Sequence, residues 1–166
     1  MMLEARLAQQ RKEYLGRAVS RFREGNYESA RSMFKIVATM EKHPGTGQLG
    51  IVHASLAGRK YASAAAAMGP LLRVRANIFQ TGFLGMLYER PEAFAEDVTA
   101  FRKMMARDPT DASLWALASY VYGATGQQQQ AEAAARKAME LAPDEASYRA
   151  LLTMVSEQPP DAGPSS

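Results

Sequence analysis

The stretch that decides the fold runs from residue 111 to residue 143 and reads DASLWALASYVYGATGQQQQAEAAARKAMELAP. It holds two apolar helical segments, which are joined by a glycine-containing turn and closed by Pro143. The same spacing recurs elsewhere, because Tyr27 and Tyr61 are 34 residues apart and Pro109 precedes Pro143 by 34. A fixed period of this length predicts a stack of helical hairpins, in which neighbours bury the faces that one hairpin cannot bury alone.

Helical periodicity extends over most of the chain, and no segment alternates as a β-strand would. Glycine and proline signals divide the pattern into eight or nine helices. The predicted helices are residues 3–24, 27–41, 49–58, 61–77, 78–89, 93–107, 112–124, 127–141 and 144–157. Pro70 interrupts the fourth segment and predicts a kink or a break there, because proline removes a backbone donor. The fold class expected from this pattern is all-α.

Composition describes a globular chain that is long enough to bury a core. The 166 residues are 47% apolar and 22% charged, with a mean hydropathy of −0.28. The absence of cysteine excludes disulfides, thiolate zinc sites and cysteine nucleophiles. No segment has the apolar length of a secretory signal or of a membrane span, so the expected location is the cytoplasm.

The charge is distributed unevenly along the chain. Residues 1–60 hold eleven Lys/Arg against five Asp/Glu, residues 61–110 hold six against five, and residues 111–166 hold three against seven. The net charge therefore falls from +6 through +1 to −4, although the whole chain carries only +3. A basic first half could steer an acidic partner towards it, while the simpler interpretation is ordinary solvated helix surface.

Aromatic, small and proline residues fall at corresponding places in successive hairpins. The stretch that ends at Pro143 has the clearest set, which is Trp115, Tyr122, Gly126, Ala131, Ala138 and Pro143. This set resembles the tetratricopeptide repeat, a helix–turn–helix unit of 34 residues. The resemblance implies a right-handed superhelical solenoid of antiparallel helix hairpins with about four repeats over residues 11–157. Residues 1–10 would extend the first helix, 144–157 would form a capping helix through Tyr148, Leu151, Leu152 and Val155, and 158–166 would be a flexible tail.

The same resemblance implies where a partner would bind. In such arrays the first helix of each hairpin lines the concave surface, which suits an apolar or amphipathic segment of another protein. The residues that this register places there are Leu15, Val19, Phe22, Leu49, His53, Leu56, Phe79, Phe83, Met86, Arg90 and Tyr120. The alternative is that the chain's own packing covers part of this surface. Leu15 and Val19 replace the Lys and Asn with which some family members clamp a terminal carboxylate, so that mode is not expected.

Two features could suggest chemistry. Residues 45–50 read GTGQLG and match the dinucleotide pattern G-x-G-x-x-G, but the pattern needs a preceding strand and a helix precedes it here. We interpret the match as a flexible turn between repeats. His43 and His53 are the only histidines, and no clustered carboxylates or HExxH motif accompany them. We therefore expect no metal site, no cofactor and no enzymatic activity.

The function expected from these observations is that of a non-enzymatic adaptor or scaffold that binds another protein in an apolar concave groove. A small chaperone for secretion or assembly clients is a narrower alternative. Nucleic-acid binding through the basic first half is the less favoured alternative, because the predicted inner face is mostly aliphatic. Assembly into a homo-oligomer through an exposed hairpin face is a third.

Overall fold

The chain folds into a stack of helices that pack on one another largely in chain order. The computed structural model describes residues 1–158, and within that part it has nine helices and no β-strand. The helices are α1 (Met2–Arg23), α2 (Tyr27–Thr39), α3 (Thr46–Ala57), α4 (Tyr61–Arg73), α5 (Phe83–Leu87), α6 (Pro91–Met105), α7 (Ala112–Ala124), α8 (Gln128–Leu141) and α9 (Ala146–Ser156). The predicted all-α solenoid is confirmed. The predicted tail, apart from Gln158, lies outside the described residues.

Three hairpins share one turn geometry. The helices α1, α3 and α7 are each followed by a residue with φ between 63° and 81°, and the next residue, the N-cap of the following helix, has ψ between 71° and 74°. These residue pairs are Gly25–Asn26, Arg59–Lys60 and Gly126–Gln127. The hairpins α1–α2, α3–α4 and α7–α8 are therefore equivalent units of the stack.

The segment between α4 and α7 does not form an equivalent hairpin. Helix α4 packs directly against α7, and α5 and α6 do not pair with each other as α7 and α8 do. The prediction of a helix over residues 78–89 is wrong, because only Phe83–Leu87 is helical. Gly82, at φ 82°, and Gly85 weaken helix formation there, since glycine loses more backbone entropy than other residues. Four regular repeats are therefore not confirmed.

Pro70 does not break α4, which continues through it to Arg73. The proline lies in the last turn, so only the Ala66 carbonyl loses its helical donor, and Ala66 is exposed to water. The predicted break is therefore wrong, and the helix ends four residues earlier than the predicted Asn77.

The glycine-rich motif at residues 45–50 lies at the start of α3, so the prediction of a flexible turn is also wrong. A Cβ on Gly47 would lie 2.5 Å from the backbone nitrogen of Ala38, and a Cβ on Gly50 would overlap the ring of Phe34. Both glycines are therefore explained by the close approach of α2 and α3. The Glu41 Oε1 atom also accepts a hydrogen bond of 2.6 Å from the Gly47 N–H, which places a carboxylate at the N-terminus of α3.

Helix α9 covers the end of the stack, as predicted for a capping helix. It packs against α8, α7 and α4. Leu151 and Val155 are fully buried, and Tyr148 and Leu152 are half-buried against the core. The last hairpin therefore does not expose its apolar face at this end.

Candidate functional site

The first helices of the three hairpins share one face, and α5 and α6 lie on that face. Helix α5 contacts α1, while α6 contacts α3 and α7. Helix α6 is amphipathic and buries Phe94, Val98, Phe101 and Met105. The surface formed by α3 and α7, which the repeat resemblance implies to be the concave one, therefore already holds an amphipathic helix of the chain itself.

His53 lies at the centre of this contact. Its ring centroid is 5.4 Å from that of Phe83, 5.6 Å from that of Phe94 and 5.5 Å from that of Tyr120. Phe83 and Phe94 come from the α5–α6 segment, whereas Tyr120 comes from α7. The imidazole therefore joins three parts of the chain that are distant in sequence.

Both ring nitrogens of His53 have a tyrosine partner. The Nδ1 atom is 2.9 Å from the Tyr88 hydroxyl, and the Nε2 atom is 2.6 Å from the Tyr120 hydroxyl. A neutral imidazole has one donor and one acceptor nitrogen, so one tyrosine accepts a hydrogen bond from the ring and the other donates one to it. These bonds satisfy the polar atoms of a side chain that has no exposed surface.

Burial determines the ionisation of this cluster. It lowers the pKa of His53 to about 3, because an imidazolium would lose its hydration without gaining a carboxylate partner. Burial also raises the pKa of Tyr120, and burial together with the charge of Asp97 raises the pKa of Tyr88 well above its usual value. All three groups are therefore neutral at pH 7.

An ion pair fastens α6 to the end of α3. Arg59 Nη1 donates a hydrogen bond of 2.8 Å to Asp97 Oδ1, and the Asp97 side chain is only 9% exposed. Burial raises the pKa of Asp97, and the hydrogen bond and charge of Arg59 offset only part of that rise. For Arg59, burial alone would lower the pKa, but the hydrogen bond and charge of Asp97 outweigh it and raise it. The pair thus holds the guanidinium firmly charged.

Sequence analysis did not assign this pair or the Tyr88–His53–Tyr120 network. One signal was available, because Asp97 occupies a position where the repeat pattern has a small residue. Its partner Arg59 occupies a left-handed turn position, at φ 63°, that nothing in the sequence pattern marks. Neither residue could be placed without knowing that α6 lies on the concave face.

Most of the predicted groove is not accessible. Six of the eleven predicted residues are at most 5% exposed, because α5, α6 and the neighbouring helices cover them. These are Phe22, Leu49, His53, Leu56, Phe83 and Tyr120. These six residues belong to the core and do not line an open surface, which corrects the expectation. This agrees with the alternative that the chain's own packing covers part of the surface.

The other five predicted residues are more accessible. Leu15 and Val19 on α1 and Met86 on α5 are half-buried against the core, and α1 contacts α5. The backbone oxygen of Met86 accepts a 2.7 Å hydrogen bond from Arg23 Nη2, which fixes the α5 segment against α1. Phe79 is half-buried against Tyr120, and Arg90 is exposed.

Helix α1 continues beyond this junction without a partner. Residues 1–13 are all exposed, and they include most of the exposed large apolar side chains of the described chain. Leu3 is 69% exposed and Leu7 is 46% exposed. We use the term α1 edge for Leu3, Leu7, Leu15 and Val19, which wind around α1 and are not fully buried, together with Met86 on α5.

Side chains that could bind a metal ion do not form a group of three or more in the described residues, 1–158. No helix in the same range is long and apolar enough to cross a membrane.

Comparison with known proteins gives one match. Residues 112–145, which comprise α7, α8 and the turn after them, match the family model described as tetratricopeptide repeat. No curated protein matches the chain. The matched hairpin, the equivalent turns of the other two hairpins and the all-helical stack agree with the resemblance seen in the sequence. The α7–α8 hairpin is therefore similar to a tetratricopeptide repeat, and the all-helical model is consistent with a protein built from such repeats.

Proposed function

We propose that the protein is a non-enzymatic adaptor that binds an apolar or amphipathic segment of another protein at the α1 edge. The observation that carries this proposal is the exposure of α1 over residues 1–13, next to the half-buried Leu15 and Val19. An isolated helix of this length is marginal in water, and most helices gain their stability by packing an apolar face. A partner segment would supply that packing.

The packing of α6 on α3 and α7 supports the same proposal. It accommodates α6, whose apolar side chains insert between α3 and α7, so the surface is suited to an amphipathic helix. A partner that binds the α1 edge would extend this contact past Met86. Burial of one large apolar side chain contributes about 1.5–3 kcal/mol, so a stable contact would need several such side chains of the α1 edge to be buried together.

Charge would assist the encounter. Arg6, Arg11, Lys12 and Arg17 are exposed on α1, and Arg90 is exposed at the start of α6. Cationic side chains beside an apolar strip favour partners with acidic flanking residues and raise the association rate. A chaperone for secretion or assembly clients would be a special case, in which the partner segment is held before it reaches its final complex.

The first test compares Val19→Glu with Ser20→Glu. The two residues are adjacent on α1, but only Val19 belongs to the α1 edge, and Ser20 is exposed. A charge at Val19 is expected to weaken partner binding at least tenfold, since an unpaired carboxylate would be buried in the interface. Partners captured from lysate by the wild-type protein would be purified, and their affinities for both variants measured by isothermal titration calorimetry.

A second variant guards against a loss of folding. Leu7→Glu changes a side chain that is 46% exposed and lies outside the core, so its melting temperature should equal that of the wild type. Leu7→Glu is expected to weaken the affinity for the same partner. Equal affinities for wild type, Val19→Glu and Leu7→Glu would refute binding at the α1 edge. Capture of RNA instead of protein, with strong salt dependence, would favour the nucleic-acid alternative.

A further inference from the structure

A groove lies between the second helices α2 and α4, apart from the face that holds α6. It consists of two adjoining cavities of about 290 Å³ and 500 Å³. Arg31 lines both cavities, so they adjoin each other at its side chain. Its floor is the side of α3 that carries Ile51, Ala54 and Ser55, whereas Leu49 and His53 occupy the opposite side of that helix.

Small side chains on α4 leave room for the groove. Ser63, Ala66 and Ala67 line the larger cavity where longer side chains would fill it. Gln48 Nε2 donates a 2.9 Å hydrogen bond to the Ala67 carbonyl, which ties α3 to α4 beneath the cavity. The walls of the larger cavity therefore consist of short, largely apolar side chains that are fixed in position. Such walls fit an extended backbone with small side chains.

The groove is basic. Arg31, Lys35 and Lys60 line it, against a single carboxylate, that of Glu28. None of these three cations forms an ion pair within residues 1–158, where the salt bridges are Arg21–Glu24, Arg59–Asp97 and Arg136–Glu132. A negatively charged ligand would meet cations that are not already neutralised.

Two buried polar atoms in the groove lack partners. The Ser55 side chain is 1% exposed and lines the smaller cavity, yet its Oγ atom has no hydrogen-bond partner. The Nε atom of Arg31, which lines the same cavity, is buried and also unpaired. Buried hydrogen-bond donors nearly always have an acceptor, so two unpaired donors beside one cavity indicate a place where a ligand could supply an acceptor atom.

We propose that this groove binds an acidic peptide segment of a partner protein. One carboxylate accepts hydrogen bonds from Arg31 and Ser55 in the smaller cavity, and the peptide backbone continues over the small residues of α4 towards Lys35. The groove favours a peptide over single-stranded RNA because single-stranded RNA is held by stacking on aromatic side chains, and Tyr27 is the only aromatic residue among the described residues that line the groove. This site is separate from the α1 edge, so either can fail without the other.

The test uses a fluorescein-labelled peptide of twelve residues, rich in Gly and Ser, that carries four Glu residues. A second peptide replaces each Glu with Gln, and a twelve-nucleotide oligouridine serves as the nucleic-acid probe. Fluorescence anisotropy would give the affinities of the full-length protein for all three. The wild type is expected to bind the Glu peptide at least tenfold more tightly than the Gln peptide, and more tightly than the RNA.

Three variants locate the site. Arg31→Ala is expected to weaken the affinity for the Glu peptide about tenfold. Arg107 is an exposed arginine after α6, and Arg107→Ala should leave this affinity unchanged. Ser55→Ala should weaken binding about threefold, yet its melting temperature should stay equal or rise, since an unsatisfied hydroxyl is removed. Lack of preference for Glu over Gln, equal effects of Arg31→Ala and Arg107→Ala, or tighter binding of RNA would each overturn the proposal.

Discussion

Replacement of Gly50 with alanine is expected to destabilise the protein by about 3 kcal/mol. The new Cβ would lie within 2.5 Å of Cε1 and Cγ of Phe34, and real Cβ atoms do not approach other atoms so closely. Phe34 has no exposed surface, so its ring cannot move aside without disturbing the packing of α2 on α3. Urea unfolding followed by circular dichroism would measure the loss.

Gly16→Ala is the matched control for this substitution. Gly16 also lies within a helix, but nothing lies within 4 Å of a Cβ built on it. Alanine there is expected to stabilise the protein by about 0.5–1 kcal/mol, because it only reduces the backbone entropy that is lost on folding. If Gly50→Ala left the free energy of unfolding unchanged or raised it, the close approach of α2 and α3 would be contradicted.

Acid is expected to destabilise the fold through His53. Its pKa in the folded state is about 3, below the value near 6.5 of an unfolded chain. The contribution of the neutral imidazole to the free energy of unfolding is therefore fully present above pH 6.5 and is lost as the pH falls towards 3. The slope is about 1.4 kcal/mol per pH unit, which amounts to about 3 kcal/mol between pH 6 and pH 4.

Urea unfolding of wild type, His53→Gln and His43→Gln over this range would isolate the effect, because the chain has only these two histidines. The free energy of unfolding of His53→Gln should fall less steeply with decreasing pH than that of the wild type, by about 1.4 kcal/mol per pH unit, whatever the stability of the variant at neutral pH. His43 is exposed in the segment between α2 and α3, so His43→Gln serves as the control for replacing a histidine outside the core. Parallel curves for wild type and His53→Gln would show that His53 is not buried among the tyrosines.

The sequence predicted those helices whose ends carry a local signal. Helix α7 has the predicted bounds, residues 112–124, because Asp111 caps one end and Gly126 follows the other. The capping helix was predicted for a similar reason, since its apolar positions follow Pro143. Local patterns of this kind depend on neighbouring residues, and those are visible in the sequence.

The concave face could not be predicted in the same way. The α5–α6 segment carries Tyr88, Phe94 and Phe101 at repeat-like positions, and such residues fit a stacked hairpin and an inserted helix equally well. Only the packing of α4 on α7 distinguishes the two arrangements, and that contact joins residues far apart in the chain. Most of the residues predicted to line the groove are therefore buried in the core.

Helix α6 packs on the first helices α3 and α7 and covers the predicted groove. A nuclear Overhauser spectrum, with the two histidines and the aromatic rings selectively labelled, tests this packing most directly. The structure predicts cross-peaks from the His53 ring to both Phe94 and Tyr120, whose centroids lie 5.6 Å and 5.5 Å away. Cross-peaks to Phe83 without any to Phe94 or Tyr120 would instead indicate a regular third hairpin and an open groove.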